Sequence, residues 1–114
     1  MGYTASERKR LLGRHKFNAK RTECDGIKFP SELEAAYYQQ LKIRQAAGDV
    51  VFFLRQVPFH LPGGVKYVVD FVRFDADGTV HFVDCKGMKT DMYIAKKKMV
   101  EALYPIEIEE VSDV

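Results

Sequence analysis

The residues best suited to chemistry are two aspartates and a lysine, in "YVVDF" (67–71) and "FVDCKG" (82–87). Between them lies "DADGT" (75–79), where Gly78 suits the left-handed position of a three-residue loop, a type I turn closed by a G1 bulge. A 76–78 loop pairs Asp75 with Thr79, and counting back sets Asp70 opposite Asp84. Period-two alternation predicts Lys66, Val68, Asp70 and Val72 on one face of their strand. It puts Val80, Phe82, Asp84 and Lys86 on the matching face of the next, with Cys85 pointing the other way. Directly opposed side chains have Cβ atoms roughly 4.5–5.5 Å apart, so two carboxylates framed by Val and Phe repel each other. They need a cation. Lys86 is one candidate and a divalent metal is another. Mg²⁺ prefers oxygen ligands, commonly one or two carboxylates plus water and substrate phosphate. An oxygen-only site with an amine two residues away suits phosphodiester hydrolysis. The metal stabilises charge on the phosphate and acidifies water, while Lys86 orients the water or stabilises developing charge. The competing explanation is an ordinary surface ion pair.

The elements that must position these residues are legible in outline. "KRTECDGIKF" carries Asp25-Gly26 between two short extended pieces, a hairpin signal. A helix follows at 32–47, with Ser31 as N-cap, Glu34 as the third residue of a capping box and Gly48 as its stop. Glu34 is thereby explained as a cap, although a helix start packed over the acidic end of the sheet also brings its carboxylate to a metal. Strands are predicted at 50–61, with Pro58 marking a bulge or an edge, at 65–75 and at 79–87. A second helix begins at the Thr90 cap and ends before Pro105, with Met92, Ala95, Met99, Ala102 and Leu103 as its apolar stripe. "IEIEEV" (106–111) alternates as a closing strand. The order is helix, three strands, helix, strand: one α/β domain.

Composition bounds the class. The chain has 114 residues, 46% of them apolar, enough for one core. The longest apolar run, Val50 to Leu54, is far short of a membrane span, and the first residues lack a signal peptide's apolar stretch. The chain therefore reads as soluble and cytoplasmic, with no membrane partner. Cys24 and Cys85 read as free thiols, too few for a disulfide scaffold. The net charge of +2 is unevenly placed. Residues 1–22 hold seven Lys/Arg against Glu7, and the remainder holds 11 basic against 15 acidic residues. A basic arm on a mildly acidic body is a footprint of nucleic-acid binding, or simply a solvated terminus. His15, His60 and His81 are scattered and read as structural or surface residues. Gln56 sits in a strand with no evident partner.

The element order, with Glu34 on the first helix, Asp70 at the end of "YVVD" and then "VDCK", resembles the PD-(D/E)XK nuclease superfamily. That superfamily includes restriction endonucleases and archaeal-type Holliday junction resolvases. More narrowly, "KFNAKRTECDGIKFPSELEA", "VVDF" and "DCKGMKTDMYIAKKK" resemble a family of small phage-encoded proteins assigned to it. The resemblance spans nearly all of 16–111. It implies a restriction-endonuclease-like αβββαβ core, a mixed central sheet flanked by helices, within a nuclease domain at 16–114 behind a basic, flexible arm at 1–15. It implies Mg²⁺, with Mn²⁺ as a substitute, bound by Asp70, Asp84 and the backbone carbonyl of Cys85. Lys86 would be the catalytic lysine and Glu34 the carboxylate completing the site. Two departures stand out: Val69 replaces the superfamily's Pro, and Asp84 stands where resolvases more often have Glu.

DNA is the implied partner. Lys89, Lys96 and Lys97 beside Tyr93 on the second helix are candidates to hold phosphates flanking the scissile one, against the plain reading of a solvated lysine face. Lys16, Lys20 and Arg21 are candidates to track the backbone. The expected function is a Mg²⁺-dependent endodeoxyribonuclease acting on junction or branched DNA in phage recombination within a bacterial host. A junction resolvase needs two sites and hence a homodimer. The competing class is a catalytically inactive DNA-binding accessory protein on the same fold.

Overall fold

The computed structural model describes residues 21–114. The arm expected at 1–15, and Lys16 and Lys20, lie outside the described residues. Strands β1 (Thr22–Cys24) and β2 (Ile27–Phe29) pair with Cys24 opposite Ile27. This leaves Asp25 and Gly26 as a two-residue loop, both at positive φ, as a type I′ turn requires. Tyr38 Oη donates to Asp25 Oδ2 at 2.9 Å and ties this hairpin to the first helix. Helix α1 (Glu32–Ala46) starts at Ser31, whose Oγ accepts from Glu34 N at 3.1 Å.

Four strands form the main sheet: β3 (Val50–Leu61), β4 (Val65–Asp75), β5 (Val80–Cys85) and β6 (Ile108–Val111), in that order. The first two joins are antiparallel. The last is parallel, reached through helix α2 (Asp91–Leu103). The sheet is thus mixed, and the order αβββαβ is found as expected. Pro58 is accommodated because β3 is an edge strand. The β4–β5 register is also as expected. Asp75 N donates to Thr79 O at 2.9 Å, Gly78 has a φ of 91°, and Phe74↔Val80 through Phe71↔Val83 lead to Asp70 opposite Asp84.

Each helix covers one face. Leu33, Tyr37 and Leu41 of α1 pack with Phe71 and Val83, while Tyr93 and Val100 of α2 pack with Val69, Val72 and Ile108. These clusters correct the expected alternation. Phe71 lies on the α1 side, yet Val69 and Tyr67 lie on the α2 side with Val72. Strand β3 switches at the same level: Phe53 packs toward α1, and Val57 and Phe59 toward α2. The switch falls at Gln56 and Asp70, which sit between the paired residues Arg55↔Phe71 and Val57↔Val69. Gln56 has a φ of 54°, a conformation costing a non-glycine residue roughly 1–2 kcal/mol. Lys66, Val68, Asp70 and Val72 therefore do not share one face.

Helix α2 brings a second correction. The stripe expected to be its core face is exposed: Met92 (67%), Leu103 (55%) and Met99 (39%). Its inner face is Tyr93 and Val100, flanked by the half-buried Lys96 and Lys97. Long lysine stems cover apolar surface while their amines reach polar partners, so apolar spacing alone selected the wrong side.

Replacing the buried cap, Ser31→Ala, is expected to lower stability by about 1 kcal/mol in denaturant titration. Larger loss would indicate that the cap also supports the site.

Candidate active site

Three carboxylates meet where the strands switch faces. Asp84 and Asp70 bind each other's strands reciprocally. Asp70 N donates to Asp84 Oδ1 at 3.0 Å, and Cys85 N donates to Asp70 Oδ2 at 2.9 Å. The Tyr67 hydroxyl donates to Asp84 Oδ2, so both oxygens of this buried carboxylate are engaged. Glu34 arrives from α1. Its backbone completes the Ser31 cap, but its carboxylate turns to β3, where Gln56 Nε2 donates to Oε2 at 2.8 Å. The same amide nitrogen lies 3.5 Å from Asp70 Oδ1. Gln56 therefore bridges two acids, which its left-handed backbone permits by aiming the side chain along the switch. Arg55 completes the group, with Nη2 at 3.9 Å from Glu34 Oε2 and its guanidinium over the Phe29 ring.

Electrostatics here are strained. Burial pushes the Glu34 pKa up to about 7, Asp70 pushes the same way, and Arg55 and Gln56 only partly offset them. Burial and then the Asp84 charge raise Asp70 to about 6, against the Cys85 N–H, Lys86 and Gln56. Burial, reinforced by Asp70 and Glu34, also raises the Cys85 thiol, which stays protonated. The site holds more negative charge than its own cations balance.

Two clefts open on this cluster. One, of about 260 Å³, is on the α2 side and is lined by Asp84, Tyr93, Lys66 and Lys96 among others. The other, of about 340 Å³, is on the α1 side and is lined by Ser31, Glu34 and Cys85 among others. Asp70 and Lys86 line both. Lys86 Nζ rests 4.8 Å from the centre of the Tyr93 ring, a cation–π contact that holds the amine at the cluster. The four sequence-derived site residues, Glu34, Asp70, Asp84 and Lys86, are thus brought together. The Cys85 thiol faces the α1 side, opposite Asp84, as expected.

The expected phosphate contacts divide. Lys96 lines the α2-side cleft. Lys89 and Lys97 pair with Glu110 at 2.8 and 3.2 Å, and the Tyr93 hydroxyl donates to the same carboxylate. These three brace α2 against β6. Arg21 is exposed beside β1, on a shallow cleft with Glu23 and Lys28. Sequence reasoning missed Gln56, Arg55, Tyr67 and Lys66. Alternation places Tyr67 on the wrong face, and the only cue for Gln56 was a polar residue unexplained in its strand.

The donors gathered here are carboxylate oxygens, the type that hard divalent cations prefer. Among the described residues no three His, Cys, Asp or Glu side chains form a metal cage. An ion such as Mg²⁺ does not need one, since it keeps waters and takes one or two carboxylates. Burial first, and the neighbouring carboxylate second, raise Glu34 and Asp70, so a cation placed between them would lower both.

The architecture is a mixed α/β domain with an acidic cluster and a lysine where β5 ends, level with the middle of β3 and β4. The chain belongs to the family described as "Protein of unknown function (DUF1064)", whose model matches residues 14–111. No curated protein and no solved structure matches the chain.

Two outcomes are expected of the metal-free protein. Glu34 and Asp70 hold protons longer folded than unfolded, so stability falls as pH rises from about 4 through 6 and 7. Asp70→Asn should flatten that decline in urea titrations across pH; an unchanged slope would contradict the assignment. Gln56→Gly keeps the backbone conformation and removes the amide. It should move the Glu34 midpoint further upward in a carboxyl-carbon NMR titration, and a fall would contradict the bridging role.

Proposed function

We propose that this protein is a divalent-metal-dependent endodeoxyribonuclease, with Glu34, Asp70, Asp84 and Lys86 as its active-site residues. The observation that carries the reading is the convergence of three buried or part-buried carboxylates, Glu34, Asp70 and Asp84, with Lys86 on one pair of clefts, where burial pushes Glu34 and Asp70 toward protonation. An isolated surface ion pair would give the opposite shift. The resemblance to the PD-(D/E)XK nucleases supports the same reading independently of the geometry.

Asp70, Asp84 and the Cys85 carbonyl would hold Mg²⁺ or Mn²⁺, with Glu34 completing the set. When bound, the ion supplies neutralisation of the phosphate charge and acidifies the attacking water. Lys86, beside Asp70 and anchored on Tyr93, stabilises charge developing on the phosphate oxygens. Gln56 fixes Glu34 and Asp70 relative to each other. Lys66 and Lys96 draw flanking phosphates into the cleft without reading sequence. Junction or branched DNA in phage recombination is the substrate class the resemblance favours. A cytoplasmic location follows from such a role, and among the described residues no helix is long and apolar enough to cross a membrane.

A second reading, a DNA-binding accessory protein without hydrolysis, draws on one observation. Both oxygens of Asp84 already accept hydrogen bonds, and the Tyr67 hydroxyl competes with a metal for the charge on Oδ2.

Incubation with linear, single-stranded, flapped and four-way-junction DNA, with Mg²⁺, Mn²⁺ or EDTA, separates the readings. The nuclease reading expects cutting that EDTA abolishes and that Asp84→Asn or Lys86→Met lowers at least about a hundredfold. Tyr67→Phe should lower the metal concentration needed. Binding without cutting under every metal would support the accessory reading, and cutting that survives Asp84→Asn would place the activity elsewhere.

A further inference from the structure

The exposed side of α2 touches the cluster described above only at Met92, on the rim of the α2-side cleft, and its composition is unusual for a solvated helix. Met92, Ala95, Met99, Ala102 and Leu103 are all exposed there, with Ile94 at its margin. Monomeric proteins seldom expose a contiguous apolar strip of this kind without a partner. Two charged residues share the strip, Asp91 and Lys98, and neither has a partner among the described residues.

Their placement identifies the occupant. At 100° per residue, Ala95 and Ala102 occupy the middle of the exposed arc. Asp91, Ile94 and Lys98 lie along one flank, and Met92, Met99 and Leu103 along the other. When two copies of this helix pack antiparallel about a two-fold axis, like flanks meet with their order reversed. An axis through Ala95 sets Asp91 against Lys98 of a second copy and Lys98 against Asp91. The same axis sets Met92 against Met99 on the other flank. The smallest residue falls at the centre, where helix axes approach most closely. Parallel packing would put the two charges on opposite flanks and leave both unmatched.

We infer that the outer face of α2 is an isologous homodimer interface, closed by Ala95 on the two-fold axis and by reciprocal Asp91–Lys98 pairs. The pattern is self-complementary in the way a two-fold contact demands, residue i meeting j and j meeting i. Methionine flanks supply adaptable apolar area. The interface stands apart from the nuclease reading, because it uses none of the active-site residues and its test reads mass rather than cleavage.

The test is sedimentation velocity of the full chain over a concentration series. A concentration-dependent dimer is expected. Ala95→Glu should make it monomeric with unchanged circular dichroism. Asp91→Lys and Lys98→Asp should each weaken the dimer by roughly tenfold or more, since each creates two like-charge contacts, and the double variant should restore it. In a Cys24→Ser background, Ala95→Cys should form an intermolecular disulfide on mild oxidation. A monomer at every concentration would overturn the inference and leave the strip to residues 1–20 or to a different protein. A dimer indifferent to Ala95→Glu, or not rescued by the charge swap, would overturn it too.

Discussion

The burial of three neighbouring carboxylates, Glu34, Asp70 and Asp84, is the constraint on which the arrangement of the site depends. Carboxylates in a buried setting neutralise, pair or bind a cation, and here the first two options are each used in part. Glu34 and Asp70 are pushed toward their protonated forms. Asp84 is held by hydrogen bonds from Asp70 N and Tyr67. Arg55, Gln56 and Lys86 surround the cluster without balancing it. The strained backbone at Gln56 belongs to the same arrangement, because the simultaneous switch of β3 and β4 lets an edge-strand amide reach acids from a helix and from a neighbouring strand. Strain of this sort collects where position matters more than stability.

Much of this was legible from local signals. The "DADGT" loop specifies its own geometry, so the β4–β5 register, and with it the opposition of Asp70 and Asp84, could be counted from the sequence. The Asp25-Gly26 turn and the Ser31 and Thr90 caps are equally local. What escaped depends on events without a local signature. A glutamine gives no notice that it will adopt positive φ, and the switch at Gln56 and at Asp70 opposite it reverses the facing of β3 and β4 across that level. Tyr67 consequently reaches Asp84 from a position that alternation assigns elsewhere. Glu34 satisfied its cap through its backbone alone, which left the carboxylate free for a role that spacing could not distinguish from capping.

Helix α2 illustrates a different limit. Its Met and Ala spacing is a genuine apolar stripe, and amphipathic logic assigns such a stripe to the core. The inner side is instead built from Tyr93, Val100 and lysine stems, since it must roof a polar cleft and brace Glu110 on β6. One connecting element thereby carries two surfaces: an inner one that anchors Lys86 through Tyr93, and an outer one whose symmetry suits a second copy. Dimerisation through the outer surface would leave the α1-side cleft untouched and would set the second copy at the Met92 rim of the other.

The central claim, that the carboxylate cluster is a divalent-cation site, is most directly tested by paramagnetic broadening. Amide spectra would be recorded while Mn²⁺ is added at substoichiometric levels. The account predicts selective loss of the Asp70, Cys85 and Lys86 amide signals, reversed by excess Mg²⁺ and absent in Asp84→Asn. Broadening centred instead on the distant acidic patch of Asp75, Asp77 and Glu109, or no selective broadening at all, would contradict it.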